Sequence, residues 1–315
     1  MRALVLTEDG PTVTDDWPEP AAAGEARIRL RLGGVCATDL ELVKGYMGFT
    51  GVLGHEWVGV VEDAPDASLI GTRVVGDINC ACRRCAVCRA GRPTHCPERT
   101  VLGIAGRDGA FSERFCLPVE NLHPVPDRVP DEAAVFVEPL AAALRITDQI
   151  HVRPTDRVLV LGLGRLGQLC ARVLALTGAE VVGVNRSAEK RALLPPGIGR
   201  CHPDEAPPGA DVVVDCTGSP AGLQLATRLV RPSGTIVLKT TVHEPLPQPP
   251  TPWVIDEVRI VGSRCGPFAP ALRLLESGAV DPRPLISAER SLGDGLAALV
   301  AAGRPGALKV LLRSR

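Results

Sequence analysis

The sequence predicts an α/β fold in which a β-rich domain is interrupted by a doubly wound parallel sheet. Three observations predict it. Residues 1 to about 130 carry short β-branched runs between turns rich in Gly and Pro. From Asp156 onward, strand-like and helix-like segments alternate, a pattern that requires a parallel sheet. Finally, Gly162-Leu163-Gly164-Arg165-Leu166-Gly167 stands directly between such a strand and such a helix.

Met1 to Asp9 reads as a first strand, followed by strands at Ala26 to Leu32, Trp57 to Glu62 and Arg73 to Val75. In the second region, strands are expected at Arg157 to Leu161, Glu180 to Val184, Asp211 to Cys216 and Gly234 to Leu238. Helices are expected at Leu166 to Thr177 and Ser219 to Val230. The stretch from Lys190 to Asp211 is too short for a helix, a strand and a second helix, so one βα unit is expected to be truncated. Pro245 to Pro252 reads as an extended linker. Helices at about 268–277 and 293–302 and a strand at Leu308 to Leu312 return the chain to the first domain. The expected boundaries are 1–145, 146–265 and 266–315, with a cysteine lobe at about 79–100.

A chain of 315 residues makes about two domains and buries cores without covalent staples. A net charge of −1 offers no electrostatic reason to bind nucleic acid or an acidic membrane, so the expected partner is a small molecule. No apolar run approaches the roughly 20 residues of a membrane span. Eleven cysteines suit a reducing compartment if they are ligands or core thiols, and the expectation is a cytoplasmic chain.

Cys82, Cys85, Cys88 and Cys96 have Cys-x2-Cys-x2-Cys-x7-Cys spacing, which lets four thiolates converge on one tetrahedral ion. Four sulfur ligands fill the shell of Zn2+, so such a site shapes a loop and does no chemistry. An iron-sulfur cluster is the rival, because Cys-x2-Cys-x2-Cys also opens ferredoxin motifs and Pro97 follows Cys96. Disulfides suit small secreted chains instead. Cys80 lies close enough in sequence to compete for the metal. Together with Cys116, Cys170, Cys201, Cys216 and Cys265, its default reading is a buried small hydrophobe.

In the glycine-rich turn, Gly162 permits the tight bend, Gly164 admits a pyrophosphate to the backbone, and Gly167 lets the helix approach the strand. An NAD enzyme places a carboxylate at the tip of the next strand, where this chain has Asn185 and Arg186. Asn185 removes a charge that would repel a 2′-phosphate. Arg186, with Lys190, can pair with that phosphate, so the expectation is NADP preference or use of both NADP and NAD.

Cys36, His55, Glu56 and Glu138 offer sulfur, nitrogen and oxygen ligands from separate segments. In this order, around a four-cysteine lobe and before the glycine-rich turn, they resemble the zinc-dependent medium-chain alcohol dehydrogenases. The branch of polyol, sugar and threonine dehydrogenases looks most similar. The resemblance implies a GroES-like catalytic domain, an inserted Rossmann domain and an active site between them. It implies a catalytic zinc on Cys36 and His55, with Glu56 and Glu138 bound directly or through water, and a second, structural zinc in the lobe. Thr38 resembles the hydroxyl of a proton relay, with Glu41 as its outer member, and Asp39 would orient His55. Lys309 resembles the basic residue that reaches the cofactor pyrophosphate. Tyr46, Phe49 and Trp57 read either as pocket lining or as local core.

The implied function is interconversion of a secondary alcohol (polyol, sugar or cyclitol) and its ketone with NADP or NAD, by a homodimer or homotetramer. A primary-alcohol or aldehyde reductase is the alternative within the family. A non-enzymatic metal or redox sensor is the alternative outside it.

Overall fold

The computed structural model describes residues 1–21, 24–239, 241 and 249–314. The chain divides into two compact units, Met1–Glu138 with Phe268–Arg315, and Pro139–Pro267. The first division falls at the start of the helix Val137–Gln149. The boundary expected from sequence lay within that helix.

In the first unit the central strand is Ala26–Val35, whose period of two turns Ala26, Ile28, Leu30 and Leu32 inward and leaves Arg29 and Arg31 exposed. Burying each such Ile or Leu contributes about 1.5–3 kcal/mol. The sheet runs Leu122–Pro124, Arg73–Gly76, Glu56–Asp63, Ala26–Val35, Lys309–Arg313, Ile286–Ser291, and Arg114–Leu117 also pairs with the central strand. The last strand of the chain therefore completes a sheet begun by the first third. Its antiparallel register sets Val310 opposite Val35 and so brings Lys309 beside Cys36. Ile286–Ser291 has no expected counterpart, because it is mostly exposed and carries no apolar alternation.

A smaller sheet joins Gly10–Thr14, Ala3–Thr7 and Gly51–Val52 over a core that includes Leu4, Val35, Leu53, Phe111, Leu299 and Val310. Phe49 belongs to this core and Tyr46 packs against it, while Trp57 is buried edge-to-face against Phe115 with ring centroids 4.7 Å apart. The structure thus corrects the pocket-lining reading of Phe49 and Trp57. Their rings fill core volume, as large apolar side chains do in preference to facing a wet site.

The second unit is a six-stranded parallel sheet ordered Gly199–Cys201, Glu180–Val184, Arg157–Leu161, Ala210–Asp215, Val230–Leu238, Arg259–Gly262. Counted along the chain this is order 3-2-1-4-5-6, whose direction reverses between Arg157–Leu161 and Ala210–Asp215, the place where such sheets bind ligands. Leu159, Leu161, Val213, Leu223 and Ile236 form part of its core. The shortened unit is a three-residue strand, Gly199–Cys201, followed by one 3-10 turn at Pro203–Glu205. Of the expected linker, residues 245–248 lie outside the described residues, and Thr251 and Pro252 open a short helix, Thr251–Ile255. Proline at the first helical turns is favourable because no amide there needs a partner, so the linker reading is corrected at that point. Among the described residues no helix is long and apolar enough to cross a membrane.

Candidate metal centre and dinucleotide site

Cys36 follows the central strand directly and caps the helix Ala37–Val43. Its backbone N–H donates to Asp39 Oδ2 at 2.7 Å. The other carboxylate oxygen, Asp39 Oδ1, lies 3.3 Å from His55 Nδ1, and both residues are buried. One carboxylate therefore steadies two candidate ligands and leaves the far ring nitrogen of His55 free to bind. His55 and Glu56 leave a turn that only glycine can make. Gly54 has φ +97°, and a Cβ there would lie 2.3 Å from the Phe111 ring.

The Cys36 sulfur, a His55 ring nitrogen and a Glu56 carboxylate oxygen lie within 4.8 Å of one another. A sulfur, nitrogen and oxygen set of three with room for a fourth partner is the donor chemistry of a catalytic Zn2+. Burial works against a charge on His55, but the Asp39 carboxylate and the Cys36 sulfur outweigh it and hold the ring pKa well above its usual value. Glu138 lies outside this cluster. It opens the helix Val137–Gln149, and burial pushes its carboxyl up to about 7, with the His55 charge pulling it down and the Glu56 charge pushing it up.

Contacts at this centre bear on two expectations. Lys309 is buried and its ammonium pairs with the Glu56 carboxylate, with the Val35 carbonyl at 3.5 Å and the Phe136 ring at 5.5 Å. A buried carboxylate needs such a countercharge, and Lys309 supplies it. Glu41 lies on the exposed face of its helix, paired with Lys44 at 2.8 Å, a surface ion pair of small energetic weight rather than the outer member of a relay. Thr38, by contrast, is partly buried, and the Cys36 thiol donates to its hydroxyl at 3.8 Å.

The sulfurs of Cys82, Cys85, Cys88 and Cys96 form a second cluster within 4.8 Å. The backbone N–H of Cys85 donates to Cys82 Sγ, and that of Cys88 to Cys85 Sγ, each at 3.4 Å. The N–H groups of Arg84 and Cys85 draw the Cys82 thiol down to about 7, which favours the thiolate that a metal binds. The two-stranded pairing of Asn79–Cys80 with Thr100–Val101 closes the lobe at its base. Cys80 is buried outside the cluster, with the Asn121 amide at 3.8 Å.

In the second unit, Gly162 adopts φ +85°, and a Cβ on Gly167 would fall 1.8 Å from the Gly162 carbonyl oxygen. Nothing stands within 4 Å of a Cβ on Gly164, which caps the helix Arg165–Ala175. The turn thus has a tight inner side and an open outer side at a helix N-terminus, the shape a pyrophosphate needs. Beyond Glu180–Val184, Asn185 Oδ1 accepts from Ser187 N at 2.9 Å, Ser187 Oγ accepts from Lys190 N at 3.1 Å, and Arg186 is exposed. Arg191, which the sequence reading passed over, donates to the carbonyls of Asn185 and Arg186 at 2.5 and 3.0 Å and braces the loop. Its position one turn beyond the Ser187 cap was the available signal.

Residues 22–127 match the alcohol dehydrogenase GroES-like domain, and residues 203–277 match the zinc-binding dehydrogenase domain. The chain belongs to the zinc-containing medium-chain alcohol dehydrogenase family. Among its relatives in that family, the starvation-sensing protein RspB of Escherichia coli is 29% identical over 312 residues, with 91% of each chain covered. A sorbitol dehydrogenase of Halalkalibacterium halodurans is 27% identical, with 99% of each chain covered. The solved structure of a zinc-binding dehydrogenase from Sinorhizobium meliloti bound to NADP is 29% identical with a TM-score of 0.89, covering 99% of this chain and 98% of that one. RspB from E. coli with NADH is 26% identical with a TM-score of 0.91, covering 99% of both. This medium-chain dehydrogenase is therefore an NAD(P)-dependent zinc enzyme of the polyol and sugar branch.

Proposed function

We propose that this dehydrogenase interconverts a secondary alcohol of polyol, sugar or cyclitol type with its ketone, and that it prefers NADP. The observation that carries the reading is the convergence of Cys36, His55 and Glu56 within 4.8 Å, with Asp39 in contact with the first two. Cys36, His55 and Glu56 would hold the catalytic ion, and Cys82, Cys85, Cys88 and Cys96 a structural one. Bound Zn2+ supplies a Lewis acid that eases loss of an alcohol proton near neutral pH, and the dinucleotide supplies the hydride acceptor. Asp39 fixes the tautomer and tilt of His55, and the Gly54 turn fixes its direction. The Thr38 hydroxyl, next to the Cys36 sulfur, takes the proton from the substrate oxygen and passes it on. The turn from Gly162 to Gly167 cradles the pyrophosphate, while Asn185 and Arg186, braced by Arg191, receive a 2′-phosphate.

The name of the S. meliloti neighbour, bound to NADP, supports the cofactor preference, and that of the sorbitol dehydrogenase supports the substrate class. Eleven cysteines, none in a disulfide, support a reducing, cytoplasmic setting. Arg259–Gly262 is an edge strand with Ile260 exposed, which supports self-association to a dimer or larger oligomer.

The test is the reduced-nicotinamide absorbance of zinc-loaded protein with NADP+ and NAD+ in parallel, against polyols, sugars, cyclitols and simple primary alcohols. Turnover of a secondary polyol with kcat/KM higher for NADP+ is expected. Turnover confined to primary alcohols, or a strong NAD+ preference, would overturn the corresponding half.

A further inference from the structure

We propose that Cys170 and Cys216 are a redox site: a peroxide joins them in a disulfide, and that disulfide weakens dinucleotide binding. The functional half of the proposal rests on the reading of the turn from Gly162 to Gly167 as the dinucleotide cradle. Neither cysteine belongs to a metal cluster, and neither has a part in the hydride chemistry.

Their sulfurs are 3.9 Å apart, although the residues are 46 positions apart in the chain. Cys170 is buried on the helix Arg165–Ala175, and Cys216 is half-buried just past the strand Ala210–Asp215. The Cys216 thiol donates to the Cys170 sulfur. That hydrogen bond lowers the Cys170 pKa against the effect of burial, and the Lys239 ammonium assists it. Burial instead pushes Cys80 and Cys116 up to about 11 each, which leaves those thiols protonated and inert. One proton shared between two sulfurs near a cation is the setting in which a thiol reacts.

The chemistry balances with hydrogen peroxide as oxidant. The Cys170 sulfur, which accepts the Cys216 S–H and is held as thiolate, attacks one peroxide oxygen and breaks the O–O bond. A sulfenic acid forms and hydroxide leaves, taking a proton to become water. The Cys216 sulfur, having given up its proton, then attacks Cys170 Sγ, the S–S bond forms, and the hydroxyl leaves as a second water with the remaining proton. Two thiols lose two electrons and one peroxide becomes two waters.

The consequence follows from close packing. A disulfide must close the sulfurs to about 2.05 Å, which draws the helix toward the strand tip. The glycine turn lies between them without slack. A Cβ on Gly162 would be 2.8 Å from the Cys216 carbonyl oxygen, and one on Gly167 would be 3.3 Å from Cys216 Cβ. Cys216 N–H also donates to Leu161 O at 2.9 Å, at the entry to the turn. Movement of either cysteine therefore displaces the amides that would face the pyrophosphate.

The experiment titrates zinc-loaded full-length protein with hydrogen peroxide and reverses the reaction with dithiothreitol. Differential alkylation with peptide mass mapping reads the linkage, NADPH fluorescence reads the dissociation constant, and metal analysis reads zinc. A Cys170–Cys216 peptide is expected, with the NADPH Kd raised about tenfold or more, zinc retained and full recovery on reduction. Cys170→Ala should bind NADPH normally and ignore peroxide, and Cys216→Ala offers the same check if the first variant misfolds. Absence of the linked peptide, a linked peptide with unchanged Kd, or a Kd rise that persists in Cys170→Ala would each overturn the proposal. Reduced protein that fails to bind NADPH would instead overturn the cradle reading, while the mass map still reports whether the disulfide forms.

Discussion

The two candidate metal clusters contrast in how they are built. The outermost ligands of the four-cysteine lobe, Cys82 and Cys96, are 14 positions apart, and its sulfurs are positioned by neighbouring backbone N–H groups. The Cys36, His55 and Glu56 centre is held from afar. Glu56 is paired with Lys309, 253 residues away, and His55, just before the strand Glu56–Asp63, faces Asp39 on the helix that follows the neighbouring strand. A local cluster loses its loop when it loses its metal, whereas a centre built on a sheet keeps its scaffold and loses its chemistry. The lobe should therefore matter to stability, and the centre to turnover.

The largest separation is expected from one Cys→Ser change in each cluster. Cys36→Ser should lower kcat/KM by about 10³-fold or more, because a Lewis acid is worth several kcal/mol in the transition state, with little change in Tm. Cys96→Ser should halve the zinc content and cost about 4 kcal/mol or more of stability. Metal analysis, thermal melts and steady-state kinetics on the two variants decide this, and interchange of the two phenotypes would break the comparison.

Lys309→Met comes next. Leaving Glu56 buried without its countercharge should cost about 3–5 kcal/mol, visible in denaturant unfolding. A normal midpoint with a raised KM for the cofactor would return Lys309 to the pyrophosphate. Asp39→Asn should lower activity or metal affinity about 10–100-fold, with zinc lost selectively from the catalytic site in a chelator competition. Thr38→Val should cost about 10²-fold in kcat, whereas Glu41→Gln should leave kcat within about twofold, since a surface ion pair contributes under about 1 kcal/mol. Equal losses in that last pair would put Glu41 back on the proton route.

Parts of this contrast were legible beforehand. The lobe was visible because its ligands are close in sequence, and the glycine turn because each glycine answers a local steric demand, most sharply at Gly167. The shortened βα unit was visible from chain length alone. Ile286–Ser291 was not, since an exposed strand without alternation carries no periodic signal. Glu138 was expected to bind the metal directly or through water, and Glu41 to end the relay, because carboxylates near a metal motif are chemically apt. Nothing in a one-dimensional string says which way each points.

By itself, the sequence determined the α/β class, the four-cysteine lobe, the dinucleotide turn and the candidate ligands Cys36, His55 and Glu56. The lobe and the turn depend on spacings within a few turns or strands, whereas the ligands rest on an order of segments that resembles the family. Only the tertiary structure decided that Lys309 serves Glu56, that Asp39 touches both Cys36 and His55, that Glu138 stands outside the cluster, and that Cys170 meets Cys216. The physical reason is register. Which side chains meet across a sheet, or between a helix and a strand tip, depends on how distant segments align when they pair, and a slip of one residue would turn every such contact to the opposite face.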